Sequence, residues 1–156
     1  KTSGDSEYDN STDSEKKAGV VEVITSDGFI DEETARQMAD KAIKENSRFI
    51  FISTKSNNPW LFDVEEKLGI LHISINENHP AYDGFYKIIE SKSDETEDSA
   101  KEYQGVKLLL AAWARLESQA DENSEESYQY QKARSDWGDL IRVFMKQEIE
   151  SKEDSN

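Results

Sequence analysis

Residues 70–80 read Ile70-Leu71-His72-Ile73-Ser74-Ile75-Asn76-Glu77-Asn78-His79-Pro80. Apolar side chains alternate along the first seven positions, which predicts a β-strand over residues 70–76. Asn76 and Asn78 can hydrogen-bond the local backbone and tolerate left-handed dihedral angles. Pro80 fixes its own φ and disfavours a helical conformation for His79. The stretch therefore predicts a strand that ends abruptly in a rigid corner.

A helix is predicted to follow the corner, over residues 81–90. Four large side chains recur there at the spacing of one helical face: Tyr82, Phe85, Tyr86 and Ile89. Two interpretations of the corner stay open. It is either a rigid strand-to-helix connection or a binding site that uses Asn76, His79 and Tyr82.

The first third of the chain predicts a disordered segment and then a strand–helix–strand unit. Residues 1–18 carry too little apolar surface to offset the entropy of ordering, so we expect disorder there. A β-branched run at 20–25 predicts a strand, residues 32–46 an amphipathic helix capped by Asp31, and residues 49–54 an interior strand. If both strands belong to one sheet, the helix between them is a right-handed crossover.

Two more strands are predicted before the corner. Residues 60–64 alternate in polarity, and a turn at 65–69 leads into the strand at 70–76, so these strands should form an antiparallel hairpin. Trp60 stands at the loop–strand junction. It is the tryptophan that best fits an exposed anchor for a partner, because the other two fall on apolar helical stripes.

The C-terminal third predicts two helices. An acidic linker at 91–99 precedes a helix at 100–120, a break follows, and a second helix covers 125–148. The apolar stripe of the first helix is Val106, Leu109, Leu110, Trp113 and Leu116. The stripe of the second is Tyr130, Ala133, Trp137, Leu140, Ile141, Phe144 and Met145. We expect both stripes to face inward in an antiparallel helical hairpin, with a disordered tail at 149–156.

Together these elements predict an α+β fold. A small mixed β-sheet with one crossover helix forms a subdomain over residues 19–90, and the C-terminal antiparallel helical hairpin occupies residues 100–148. The acidic linker joins them.

The composition excludes several classes of function. With 34 acidic and 19 basic residues the net charge is −15, which opposes binding to nucleic acids and to anionic membranes. The chain has no cysteine, so disulfides, thiolate catalysis and cysteine-ligated zinc are excluded. We therefore expect no direct nucleic-acid partner and no membrane association.

Motifs that carry chemistry are sparse. His72 and His79 are the only histidines, and no metal-binding spacing joins them, so we predict no metal site. We predict that His72 is a partly exposed strand residue. The sequence has no Gly-x-Ser-x-Gly elbow, P-loop or Gly-x-Gly-x-x-Gly motif, and we predict no catalytic residue in this chain.

Two stretches resemble a segment that follows the ATPase domain in bacterial GHKL proteins, the superfamily of Hsp90-like, gyrase-B-like, MutL-like and histidine-kinase-like ATPases. The first stretch is Leu61-Phe62-Asp63-Val64 and then Gly69 to Tyr82, where a strand ends in Asn76 and His79-Pro80 and an aromatic residue follow. The second is Leu108 to Glu117 with Arg134-Ser135-Asp136-Trp137. The resemblance spans about residues 48–146.

The resemblance implies a noncatalytic C-terminal interaction or transducer module. The superfamily's ATP site uses an Asn-bearing helix, an Asp-x-Gly-x-Gly turn and a Gly-rich lid, and this sequence contains none of them. No cofactor is thus expected in this chain, and ATP with Mg²⁺ would bind elsewhere in a longer parent protein. Such modules couple nucleotide state to dimerisation or partner binding, so the expected partner is another protein or a second copy. The chain starts without Met, so we expect it to be a fragment of a longer, cytoplasmic protein.

Two alternatives remain from the sequence. One is a stand-alone acidic binding protein, such as an inhibitor or a DNA mimic, since the negative charge could occupy a basic site. The other is a small enzyme that uses the corner of Asn76 and His79, which would require a carboxylate beside His79 in a cleft.

Overall fold

The computed structural model describes residues 3–155. The helices are α1 (Ser3–Asn10), α2 (Asp13–Thr25), α3 (Glu32–Lys44), a π-helix (Tyr82–Tyr86), α4 (Lys87–Ser91), α5 (Glu97–Ser118) and α6 (Glu125–Ser155). The strands are β1 (Phe49–Thr54), β2 (Phe62–Lys67) and β3 (Ile70–Asn76). The α+β class with a small mixed sheet, predicted from the sequence, is confirmed.

The described residues form two compact units whose boundary differs from the predicted one. The first unit runs up to Thr54 and includes Asp63–Ser74. The second unit contains Lys55–Phe62 and the chain from Ile75 onward. The corner and the loop that carries Trp60 therefore belong with the C-terminal helices and not with a separate sheet subdomain.

The predicted first strand is wrong, because residues 20–25 form the end of α2. The helix starts at a capping box, in which the Thr12 hydroxyl accepts the Glu15 amide and the Glu15 carboxylate accepts the Thr12 amide. Val20 and Ile24 then lie one turn apart on the buried face. Tertiary burial and capping thus override the β preference of the β-branched run. Without that strand, α3 connects α2 to β1, and the predicted crossover helix is also wrong.

Residues 3–10 and 13–18 are helical, in contrast to the disorder we predicted for residues 1–18. Charged contacts, rather than a large apolar surface, hold this segment in its position. The Tyr8 ring lies 3.7 Å from the Lys16 ammonium and 4.1 Å from the Arg48 guanidinium carbon. Arg48 also pairs with Asp5 at 2.8 Å. These cation–π and ionic contacts supply stabilisation that the apolar content alone does not predict.

The sheet has the strand order β1-β3-β2. The predicted hairpin is confirmed, but its first strand covers Phe62–Lys67 rather than 60–64. Its turn is therefore only Leu68 and Gly69, with φ of 50° and 76°, rather than 65–69. Two consecutive positive φ values define a type I′ turn, whose twist matches that of antiparallel strands. The core of the first unit consists of Val20, Ile24, Ala35, Ala39, Ala42, Ile43, Ile50, Ile52 and Ile70. Helices α2 and α3 therefore pack against this sheet.

In the second unit, α5 begins earlier and α6 ends later than predicted. The predicted helix at 81–90 is confirmed as a π-helical turn that continues into α4. Helix α5 begins inside the predicted linker, because Thr96 caps it by accepting the Ser99 amide. Helix α6 continues to Ser155 through the predicted disordered tail, where Lys152 and Glu148 form an i,i+4 pair.

Despite their length, neither α5 nor α6 is apolar enough to cross a membrane, and the same holds for every other helix in the described part of the chain. Only half of the twelve residues in their predicted inward stripes are buried or partly buried, and the other half are exposed. Leu109 is 74% exposed and Trp137 is 47% exposed. The buried face of α5 carries Leu110, which belongs to the predicted stripe, together with Ala111, Ala114 and Glu117.

Candidate functional site

The corner after β3 is built around Asn76, which is fully buried. Its side-chain oxygen accepts the amides of Ser56 at 3.0 Å and Asn78 at 3.1 Å. Its side-chain nitrogen donates to the carbonyls of Trp60 at 3.1 Å and Asn58 at 3.3 Å. An amide side chain can donate two bonds and accept two, so Asn76 has no hydrogen-bonding capacity left.

His79 ties the corner to helix α6. Its Nε2 lies 2.7 Å from the carbonyl oxygen of Gly138, and its Nδ1 accepts the Ala81 amide at 3.0 Å. Because a carbonyl only accepts, Nε2 carries the proton and the ring is neutral. Burial lowers the His79 pKa, which keeps it in this form.

Gly138 makes the close approach of α6 to the corner possible. A Cβ at this position would lie 2.6 Å from the Pro59 carbonyl oxygen and 2.8 Å from the Trp60 Cα. Both distances are shorter than atoms tolerate, so only glycine fits without a backbone shift. The same residue therefore provides the space for the loop and the acceptor for His79.

The four predicted binding residues thus occupy one region of the second unit. Asn76 and His79 have their polar side-chain atoms engaged within the chain, an arrangement that favours a structural connection over acid–base chemistry. Trp60 is partly buried, and its carbonyl binds Asn76. Tyr82 is partly buried and stacks on Tyr86 with the ring centroids 6.2 Å apart. Its pKa is raised to about 12, first by burial and then by a hydrogen bond to Glu77.

His72 lies in the first unit and is fully buried, so the interpretation as a partly exposed residue is wrong. Neither ring nitrogen has a hydrogen-bond partner among the described residues. Burial lowers the His72 pKa to about 4, and the nearby backbone of Glu65 and Ile70 opposes this shift only in part. A neutral imidazole in a core position fits this environment.

A buried ion pair joins α5 and α6. Arg134 donates to the Glu117 carboxylate through two nitrogens, at 2.9 Å and 3.0 Å, and to the Phe62 carbonyl at 2.8 Å. Trp113 donates its indole N–H to the same carboxylate at 3.0 Å. The two charged side chains are only 4% and 7% exposed. The bidentate geometry and the additional bonds compensate much of the desolvation of both charges.

An open apolar cavity of about 970 Å³ lies beside this pair. Every residue that lines it belongs to the second unit. Helix α5 contributes Val106, Leu109, Leu110 and Trp113, and helix α6 contributes Ala133, Arg134, Trp137, Ile141 and Met145. The corner side contributes Leu61, Phe62, Ala81, Gly84, Phe85 and Tyr86. The guanidinium of Arg134 is the only charged group in the lining, and its bonds to Glu117 and Phe62 already hold it.

The sequence predicts an apolar stripe on each of these helices, but the prediction that both stripes face inward holds for only half of their residues, and neither the ion pair nor the cavity is predicted. A signal for the pair exists, because Glu117 lies one turn after Trp113 and Arg134 lies one turn after Tyr130. A charged residue on an apolar helical face indicates a buried partner. The cavity left no comparable signal, since periodicity specifies which face is apolar and not what covers it.

Within residues 3–155, no group of three or more histidines and carboxylates converges where a metal ion could bind. Comparison of the chain with protein-family models, curated proteins and solved structures finds no match.

Proposed function

We propose that this chain is a noncatalytic C-terminal interaction module of a cytoplasmic GHKL-type ATPase, which couples nucleotide state to dimerisation or partner binding. Two independent features support the proposal. The first is the resemblance of residues 48–146, whose two stretches form the corner and the ion-paired helices. The second is the open apolar cavity between α5 and α6, and this observation carries the proposal.

The cavity supports binding because apolar surface exposed to water is unfavourable unless a partner covers it. Leu109 and Trp137 place a leucine and an indole in the cavity wall, where they remain 74% and 47% exposed. Aromatic and aliphatic side chains in a concave site are the usual composition of a recognition surface. The corner and the buried ion pair stabilise the cavity wall, so the binding surface is preorganised before a partner binds.

ATP and Mg²⁺ belong to the parent protein in this proposal. The chain lacks the superfamily's Asp-x-Gly-x-Gly turn, and its single glycines do not form a phosphate-binding loop. The residues of this chain therefore do not fit the nucleotide, and we assign them no step in its hydrolysis. Their role is to present a surface whose partner depends on the nucleotide state.

The test compares the parent protein with a version that lacks this region. ATP binding and hydrolysis are measured by equilibrium dialysis and phosphate release, and dimerisation is measured by sedimentation velocity with and without a non-hydrolysable ATP analogue. We expect the shortened protein to bind ATP but to lose the nucleotide-dependent change in association. An upstream coding sequence without an ATPase domain, or ATP hydrolysis by the 156-residue chain alone, would contradict the proposal.

A further inference from the structure

We propose that the cavity between α5 and α6 binds an amphipathic helix with basic flanks, supplied by a partner protein. This inference rests on the proposed function, because it names the kind of partner that the module takes. Three observations carry it: the length of the exposed apolar stripes, the absence of an available charge in the cavity, and the acidic segments at both ends of α5.

The apolar surface extends beyond the cavity in a form that a helix would cover. Leu109 and Leu116 are both exposed and lie seven residues apart on α5. Trp137 and Phe144 are exposed and have the same separation on α6. Seven residues of α-helix span about 10 Å, which equals the distance between anchors i and i+7 of a docked helix. A small ligand that filled only the cavity would leave Leu116 and Phe144 in water.

The cavity itself selects apolar side chains. Arg134 is the one charged residue in the cavity lining. Its guanidinium is already engaged in structural hydrogen bonds with Glu117 and the Phe62 carbonyl. A carboxylate or an ammonium placed there would lose its hydration without gaining a free partner. Leucine, isoleucine or phenylalanine anchors fit this chemistry.

Charge around the cavity favours basic flanks on the partner. Exposed acidic residues precede and begin α5, at Asp94, Glu95, Glu97 and Asp98. More follow its C-terminal end, at Asp121, Glu122, Glu125 and Glu126. A helix lying along α5 would meet both acidic segments, so lysine or arginine on either side of its apolar anchors would be attracted. A second copy of this chain, with its net charge of −15, would be repelled by the same field.

The experiment uses the 156-residue chain and a synthetic probe. The probe is a fluorescein-labelled peptide of about 24 leucine and lysine residues, long enough to form a helix that spans α5, with leucines at i, i+3, i+4 and i+7 in its middle. One control peptide has glutamate in place of lysine, and another has the same composition in scrambled order. Binding is followed by fluorescence anisotropy at physiological ionic strength, where long-range attraction between surface charges is screened.

The protein variants are Leu109→Asn and Leu108→Asn. Both leucines are exposed on α5, but only Leu109 lines the cavity. We expect Leu109→Asn to weaken binding of the basic peptide about tenfold, and Leu108→Asn to change it less than about twofold. Circular dichroism of both variants checks that the fold is retained.

Several results would overturn the inference. Equal weakening by both variants, or equal binding of the scrambled peptide, would indicate adhesion by charge alone. Equal binding of the glutamate peptide would contradict the proposal that the partner helix has basic flanks. A dimer of the chain that Leu109→Asn dissociates would identify a second copy as the occupant.

The outcome is separable from that of the proposed function, because peptide binding is measured without nucleotide. Loss of coupling in the shortened parent protein with no peptide binding here would reject only the helical partner. Peptide binding without any effect of the region on nucleotide-dependent association would reject only the proposed function.

Discussion

The two compact units of this chain use their apolar residues in different ways. In the first unit, Ile70 and Ala35 are completely buried between the helices and the sheet. In the second unit, Leu109 is 74% exposed in the wall of an open cavity. Apolar side chains thus stabilise the fold in one unit and remain available for recognition in the other.

The comparison also separates the forces that hold each unit together. The first unit has a continuous apolar core, to which hydrophobic burial contributes most. The second unit depends more on polar contacts at particular points, namely the corner of Asn76 and His79 and the pair of Glu117 and Arg134. Substitutions should therefore have large effects at different kinds of residue in the two units.

The largest expected effect comes from Arg134→Met in the second unit. The substitution leaves the buried Glu117 carboxylate with Trp113 as its remaining partner among the bonds described above. An uncompensated buried charge should lower the free energy of unfolding by about 4 kcal/mol. Urea denaturation followed by tryptophan fluorescence measures this change.

The matched control is the double variant Glu117→Leu/Arg134→Met, which removes both charges. We expect it to recover about 2 kcal/mol of the loss, and not all of it, because Trp113 and the Phe62 carbonyl lose their partners. A single variant within about 1 kcal/mol of the natural chain would show that polar contacts do not dominate this unit.

A smaller effect should distinguish the two units directly. Ile70→Ala removes a completely buried side chain and should lower the free energy of unfolding by about 3 kcal/mol. Leu109→Ala removes an exposed one and should change it by less than about 0.5 kcal/mol. Parallel urea titrations of both variants test the difference. Similar losses at the two positions would mean that the cavity wall is as closely packed as the core.

The smallest of the three effects is a pH dependence that originates in the first unit. Because the His72 pKa falls from 6.5 to about 4 on folding, the unfolded state binds more protons between these values. Stability is therefore retained above pH 6.5 and decreases as the pH falls toward 4. The expected loss from this residue is about 2 kcal/mol between pH 7.5 and pH 5.

The control for this prediction is His72→Leu, which replaces the imidazole with an apolar side chain of similar size. Its unfolding free energy should decrease less over the same pH interval, since carboxylates and His79 remain to titrate in both proteins. If the two proteins show the same pH dependence, His72 is not the buried neutral group that its burial indicates.

The sequence predicts those elements of this fold whose signal is local. The helix capped by Asp31, the strand at 70–76 and the existence of the hairpin before it are confirmed, because capping, alternation and turn chemistry operate over a few residues. Val20 to Thr25 is helical and not a strand, because the helix that includes it starts seven residues earlier, at Asp13, after the cap at Thr12. Its burial against a distant core decided its conformation.

The candidate site was predictable only in part. Asn76 and His79 stood out as residues of the corner, but their partners Trp60 and Gly138 are distant in sequence, and no periodicity links them. The pair of Glu117 and Arg134 is similarly nonlocal. The cavity depends on the separation of α5 and α6, which no pattern within either helix specifies.

The close approach at Gly138 has a consequence for recognising distant relatives of this chain. Position 138 excludes a side chain, and its carbonyl oxygen requires a ring N–H donor at position 79. The two positions are 59 residues apart in sequence yet should not vary independently. A search of genomic sequences for that coupled glycine and histidine, with the Asn-x-x-His-Pro corner at the end of a strand, should identify relatives that share little overall sequence identity with this chain.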